Sequence, residues 1–396
     1  MEMPRIKFGD LKVGPLARRK IAQALDRNWV TEGPNVREFE ERYAAKFGWK
    51  HCIATSSGTT AGEVAWAAVR ELLGKTPHSC QGDIAANRGF IATPACAFVA
   101  TASCITAAGL EPLFVDISLE TLNMDVNRLG EVLKRAESIN YSCAAIQFVM
   151  NMGRSVDLDR IGRIGEERSL PVIVDACEGH GGTLHGVHIN RYGSIKAAIY
   201  SFYVAHLIQA GEGGCICTDD DEIAELCRSI KSHGRPAGSN YFDFQKVGFN
   251  AKWNDLAAAI GLESLERFDE TFAKRREVRA KLIQALEPFE DRLILYRDAP
   301  GEVIAPHALP VVLRDEREDV RPLRGFLEYF NIEVKTLFGS LPTQHKAFEW
   351  LGHRSGDFPV AERIGRTGLH FGCHEGMTDG DIDYIYGAFK EYFQKA

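Results

Sequence analysis

His206 stands in SFYVAHLIQAGEGG, residues 201–214, between an apolar strand pattern and a Gly-rich turn. An imidazole with an ordinary pKa near ~6.5 accepts and returns protons at working pH, so His206 is a candidate acid/base. A hydrogen-bonded structural histidine fits the same placement. Asp175 closes the apolar run LPVIV, where a carboxylate can point into the crevice beyond the strand ends of an open sheet. A buried carboxylate needs a cationic or hydrogen-bonding partner. A protonated ring nitrogen would serve, and His180, five residues on, could orient the carboxylate; a turn or helix cap is the plainer use of Asp175.

SSGTTAGEV places Ser57, Gly58, Thr59 and Thr60 at a helix start. Free amides and the helix dipole there suit a phosphate, though helix capping alone explains the same residues. Phe98, in PACAFVAT, follows a strand and could stack on a flat ring or simply pack in the core. Ser201 ends KAAIY, and its hydroxyl could add a phosphate contact. Cys215 and Cys217 form a C-x-C pair just after GEGG; alternation along a strand puts both on one buried face, as packed thiols.

The elements that must position these residues read as parallel α/β architecture from about residue 35 to 230. REFEERYAAKFG is an amphipathic helix, HCIATSSGTT a short strand and loop, and AGEVAWAAVRELLG the next helix. FIATPACAFVATASCITAAG repeats strand, loop and helix. EPLFVDIS leads to DVNRLGEVLKRAES, CAAIQFVMN leads to DLDRIGRIGEERS, and LPVIVDACEG and KAAIYSFY add two strands whose apolar runs predict burial on both faces. GFNAKWNDLAAAIGLESLERFDETFAKRREVRAKLIQALEPF reads as long, charged and helical. The strands VIAPHALPVVL and IEVKTLF follow. The expectation is a large domain over 1–265 and a smaller α/β domain over 266–396.

Composition narrows the function classes. Hydrophobic residues at 45% and charged residues at 26% of 396 describe a globular chain with a sizeable core. The net charge of −7 argues against nucleic acid or anionic membrane as a partner. No apolar run is long enough to cross a bilayer, and MEMPRIKFGDLKVG lacks the apolar core of a signal peptide, so a cytoplasmic protein is expected. Ten cysteines without a CxxC pair fit reduced, mostly buried thiols.

Read in order, SSGTTAG, PACAFVAT, FVDISLETLNMD, VDACEGHGG, SFYVAHLIQAGEGG and VGFNAKWNDLAAAIG resemble the nucleotide-sugar aminotransferases of the DegT/DnrJ/EryC/StrS type, from near residue 33 to the C-terminus. The resemblance implies the aspartate-aminotransferase-like fold of pyridoxal-phosphate enzymes: a mostly parallel sheet in the large domain and a smaller C-terminal α/β domain. It implies a cofactor-binding set of Gly58, Thr59, Thr60 and Ser201 at the phosphate, Asp175 at the pyridine nitrogen, Phe98 on the ring, and Glu178 and His180 beside Asp175. Asn250 of VGFN matches an asparagine that reaches the phosphate of a neighbouring subunit, which implies a homodimer with shared active sites.

The family's aminotransferases carry lysine where His206 stands. Only a primary amine condenses with the cofactor aldehyde, so the covalent tether is lost while acid/base capacity remains. This pattern is similar to the branch of sugar 3-dehydratases, in which pyridoxamine phosphate condenses with a nucleotide-linked 4-keto-6-deoxyhexose. There the base removes a proton from the cofactor methylene, the 3-hydroxyl leaves, the released enamine hydrolyses to ketone and ammonia, and glutamate restores the amine. Deoxysugar biosynthesis of the lipopolysaccharide O-antigen kind is the implied setting. NAKWNDLAAAIG, Tyr203 three residues before His206, VKTLFGSLPTQHKAF and LHFGCHEGMTDGDIDYI are also similar to that branch. Departures at Gly339, Ser340 and Pro342 and a short HGRPAGSN loop leave sugar and nucleotide open.

A related dehydratase type adds an iron–sulfur cluster whose ligands include a C-x-C pair before GFN. SHGRPAGSNYFDFQKVGFN contains no cysteine, so no cluster and no metal are expected. An aminotransferase with an untethered cofactor and a non-catalytic cofactor-binding protein are the alternatives.

Overall fold

The computed structural model describes residues 5–74, 89–139, 143–236 and 242–395. Cys80 and residues 237–240 of the HGRPAGSN loop lie outside the described residues. The expected strands form where the apolar runs predict them, β1 (His51–Thr55), β2 (Phe90–Pro94), β3 (Glu111–Val115), β4 (Cys143–Val149), β5 (Val172–Asp175), β7 (Ile195–Ser201) and β8 (Gly214–Thr218), and a two-residue strand that no apolar run announces, β6 (Thr183–Leu184), lies between β5 and β7 in the chain. Seven of them make one sheet in the order β1-β8-β7-β5-β4-β2-β3. The pairs β7–β5, β5–β4, β4–β2 and β2–β3 are parallel, while β8 runs antiparallel to both β7 and β1.

The reversal after β7 decides where the chemistry sits. Residues 202–213 double the chain back, and Phe202 N–H donates to Gly213 O at 2.8 Å to close the loop. Gly214 then passes so close to the start of the helix Gly58–Leu72 that a Cβ there would lie 2.5 Å from the Ser57 backbone. His206 therefore projects from a loop at the C-terminal ends of the parallel strands, the crevice expected of an open α/β sheet. Helices cover both faces. Phe39 and Tyr43 from the helix Pro34–Phe47 enter one core cluster with Phe148, Val174 and Tyr200, and Val64 and Trp66 enter another with Ile91, Ile173 and Ile199.

The segment read as one long helix divides at Arg267 into Asp255–Glu266 and Phe268–Leu286. Asn254 caps the first by accepting from Ala257 N–H at 2.8 Å. Leu262 and Leu265 join the large core, whereas Val278, Leu282 and Leu286 pack on a second sheet. That sheet holds β9 (Leu293–Leu295), β11 (Ala308–Leu313), β12 (Val334–Thr336) and β13 (Gly368–Gly372) in the antiparallel order β12-β13-β11-β9, while β10 (Glu302–Val303) pairs with β6. We propose the domain boundary at 265/266 on this change of core. The N-terminus crosses it, since Ile6 bridges to Ile332 and lies in the core of the second sheet.

Asp116 of FVDIS ties the two sheets together. Its carboxylate accepts from Val360 N–H at 3.0 Å and Ala361 N–H at 2.9 Å, the first-turn donors of the helix Pro359–Thr367, whose own N-cap Phe358 supplies no side-chain acceptor. Asp116→Ala is expected to cost about 1–2 kcal/mol by the loss of a helix cap. Urea unfolding of the two proteins checks this; an unchanged midpoint would show that water replaces the carboxylate.

Candidate active site

A cavity of about 440 Å³ opens between the strand ends of the large sheet and His307, Lys335 and His370 of the second. Its floor comes from β5 and β7. Asp175, at the end of β5, accepts from the Thr101 hydroxyl at 2.8 Å and from Cys177 N–H at 3.2 Å. Ser201 closes β7 beside the helix start at Gly58, and a Cβ on Gly58 would lie 2.7 Å from the Ser201 side chain. Glycine is required there because a side chain would run into Ser201 Cβ and, at 3.1 Å, Cys177 Sγ. Ser57 caps the helix through Thr60 N–H at 3.1 Å, and the wall of the cavity includes Gly58 and Thr59. A helix N-terminus, a serine hydroxyl and a carboxylate thus converge on one cavity of small-ligand size.

His206 follows from a tight turn in which its N–H donates to Tyr203 O at 2.9 Å. Its ring lies 6.2 Å from the Tyr203 ring, 6.3 Å from that of His180 and 4.9 Å from that of His307. Burial, with Arg275 and Lys335 nearby, pushes its pKa down to about 3, so the imidazole meets the cavity neutral with a lone pair free to take a proton. Part of the residue still reaches the cavity surface, and an anionic ligand placed there would oppose the shift. Glu178 is pushed the other way, up to about 8, by burial, although Met152 N–H donates to its Oε2 at 2.6 Å. At neutrality Glu178 is therefore largely an acid with a proton to donate.

Of the residues singled out from the sequence, Gly58, Thr59, Phe98, Asp175, Glu178, Ser201, Tyr203 and His206 line this cavity. Phe98 stands at the rim, 58% exposed and 6.0 Å from the Phe338 ring. Two readings change, those of Thr60 and His180. Thr60 is drawn into the helix cap, its hydroxyl accepting from Ser57 N–H at 3.0 Å, and it does not line the cavity. His180 does not orient Asp175: Thr101 does, while both His180 ring nitrogens are buried without a partner and burial holds its pKa well below the usual range. Asn250 is exposed, bridged to Ser232, and outside the cavity of its own chain.

Thr101, His307, Lys335 and Phe8 belong to the cavity and were missed. Thr101 is the last residue of the PACAFVAT segment itself, one helical step from Phe98, and the others arrive from distant segments that no local pattern connects. Lys335 Nζ sits over the rings of Phe8 at 4.4 Å and Tyr203 at 5.8 Å.

Away from this site, Cys215 and Cys217 point to one buried face of β8 with Cys52 of β1 beside them. Their sulfurs fall within 4.8 Å of one another. Burial raises the thiols of Cys215 and Cys217; at Cys52 burial also acts upward, but hydrogen bonds from Cys215 and Cys217 bring the thiol down to about 6.

A sequence model of the DegT/DnrJ/EryC1/StrS aminotransferase family matches residues 14–390. Among curated proteins, GDP-perosamine synthase of Caulobacter vibrioides is 29% identical over 98% of this chain and 99% of its own. The GDP-4-keto-6-deoxy-D-mannose 3-dehydratase of Escherichia coli O55:H7 is 28% identical over 95% of this chain and 97% of its own. Among solved structures, an E. coli GDP-4-keto-6-deoxy-D-mannose-3-dehydratase with bound hydrated PLP superposes with a TM-score of 0.82 at 24% identity, covering 98% of this chain and 100% of that one; at that identity it supports the fold.

Proposed function

The chain belongs to the DegT/DnrJ/EryC1/StrS aminotransferase family, and from that premise we propose that it is a pyridoxamine-phosphate-dependent 3-dehydratase of a nucleotide-linked 4-keto-6-deoxyhexose, acting in the cytoplasm. The observation that carries the proposal is His206, a neutral imidazole in the cavity where a tethering lysine would otherwise stand. The cavity fits the cofactor, whose aldehyde form is pyridoxal phosphate. The helix start at Gly58 and Thr59 and the Ser201 hydroxyl would hold the phosphate, Asp175 the ring nitrogen, and Phe98 the ring face. When bound, the group supplies an amine able to condense with the sugar ketone and a ring able to take up an electron pair.

This chain's residues do the rest. His206 takes a proton on its free ring nitrogen and can return it to a leaving hydroxyl. Asp175, fixed by Thr101, aims its carboxylate at the ring-nitrogen position, and Glu178 offers a proton at the cavity wall. Phe8, Phe98 and Phe338 line the cavity with apolar surface that displaces water. No helix among the described residues is long and apolar enough to cross a membrane.

A homodimer is part of the proposal. Asn250 is exposed outside its own cavity, and Phe242, Phe244 and Val247, just before it, are 87%, 55% and 66% exposed. An apolar stretch of this kind is the sort a second copy covers, which would bring Asn250 to the neighbour's phosphate site.

Family members named GDP-perosamine synthase favour a second reading, amino transfer. The protein incubated with pyridoxamine phosphate, L-glutamate as amine donor and a panel of 4-keto-6-deoxy nucleotide sugars separates the two by product mass. Dehydration should yield a keto sugar lacking one oxygen atom, with free ammonia; an amino sugar without ammonia would establish amino transfer, and no product from any sugar would remove both.

A further inference from the structure

The His206 ring is backed by a second imidazole that the dehydratase reading leaves without a part. His307 lies just before β11, 5% exposed. Its ring is 4.9 Å from that of His206 and tilted to it by 33°, so that the two π surfaces partly overlook one another. On its far side His307 Nε2 lies 3.3 Å from Glu178 Oε1, and Glu178 is itself held by Met152 N–H. His307 Nδ1 is buried without a partner, so the ring is oriented by Glu178 and by packing, including Phe8 at 6.0 Å.

We propose that His307 is a positioning residue for His206: anchored through Nε2 to Glu178, it presents its ring face to His206 and stabilises the imidazolium that forms when His206 takes a proton. The inference rests on His206 acting as the base. A neutral aromatic face attracts a cation stacked on it, by about 0.5–2 kcal/mol, and Glu178 Oε1, 3.3 Å from Nε2, fixes the orientation of that face.

The charges around the pair make such support necessary. Arg275 from the helix Phe268–Leu286 and Lys335 from β12 both oppose a positive His206, while His180, after β5, is a third imidazole on the other side. His307 has His370 of β13 as a further neighbour, and burial together with these groups holds its pKa well below the usual range. It stays neutral, so the unit gains its charge on His206, the ring in the cavity turn.

The test is an NMR titration of the histidine Cε1–H signals in protein saturated with pyridoxamine phosphate, with the His206 signal assigned through His206→Asn. His307→Leu keeps the volume but removes the ring face, and His307→Phe keeps a ring face without the link to Glu178. The His206 midpoint is expected to fall by about one pH unit in His307→Leu, a tenfold loss of proton affinity, and by less in His307→Phe. An unchanged midpoint in both variants overturns the inference, as does a wild-type His206 that stays neutral down to acid unfolding. The readout needs no sugar substrate; normal turnover by His206→Asn would sink the dehydratase reading without touching the coupling measured here.

Discussion

His206→Asn is expected to lower turnover by about 10²–10⁴-fold while leaving cofactor affinity within a few-fold of the wild type. The asymmetry follows from which groups do what. Binding rests on the helix start at Gly58, Ser201, Asp175 and Phe98, none of which contacts the rest of the fold through the His206 imidazole. Asparagine is close to the front half of the imidazole in size and keeps a polar group in the turn after Tyr203, but its amide does not titrate near neutral pH, so it can neither take nor return the proton. Rate and affinity measured on the same preparation check this: an intact rate removes His206 from the chemistry, and lost binding makes it a structural residue.

Borohydride treatment of the protein mixed with pyridoxal phosphate gives a second readout. Imidazole forms no reducible adduct, so residue 206 should carry none. Lys335 is the primary amine among the described lining residues. A stable adduct there would replace the untethered-cofactor proposal with a relocated tether.

Much of this arrangement was legible in the sequence for a physical reason. Parallel strands buried on both faces write themselves as apolar runs such as LPVIV and KAAIY, and the residues at their ends, Asp175 and Ser201, are where an open sheet places a ligand. The Gly/Ser/Thr run at 56–60 marked a helix start for the same local reason. The antiparallel entry of β8 was not legible, because the turn through Gly213 and Gly214 is fixed by contact with Ser57 and Trp253 and not by its own pattern. Contacts between distant segments were equally hidden. His180 is five residues from Asp175 in the chain yet faces Tyr43 and Tyr200 in the core, whereas Thr101, seventy-four positions away, makes the hydrogen bond. His307 reaches the site only because the second sheet closes over the first.

Asp175→Asn is the other change expected to act strongly, and it should act on binding and rate together. A carboxylate facing a protonated ring nitrogen forms a buried ion pair, and removing one partner of such a pair costs about 3–5 kcal/mol, which corresponds to about 10²–10³-fold or more in affinity. An amide is isosteric but neutral. Its oxygen still accepts a hydrogen bond, yet it no longer holds the proton on the ring, so the ring takes up electron density less readily and the proton removed by His206 leaves less easily. Thr101→Val separates charge from orientation: it keeps the carboxylate and removes the hydroxyl that fixes it at 2.8 Å, a loss of about 1.5–3 kcal/mol for a hydrogen bond to a charged group. The expected order is a large fall in affinity and rate for Asp175→Asn and a smaller fall in both for Thr101→Val. Equal effects would mean that Asp175 serves the cavity as a hydrogen-bonding wedge and not as a charge, and no effect of Asp175→Asn on either quantity would detach the ring-nitrogen role from this chain.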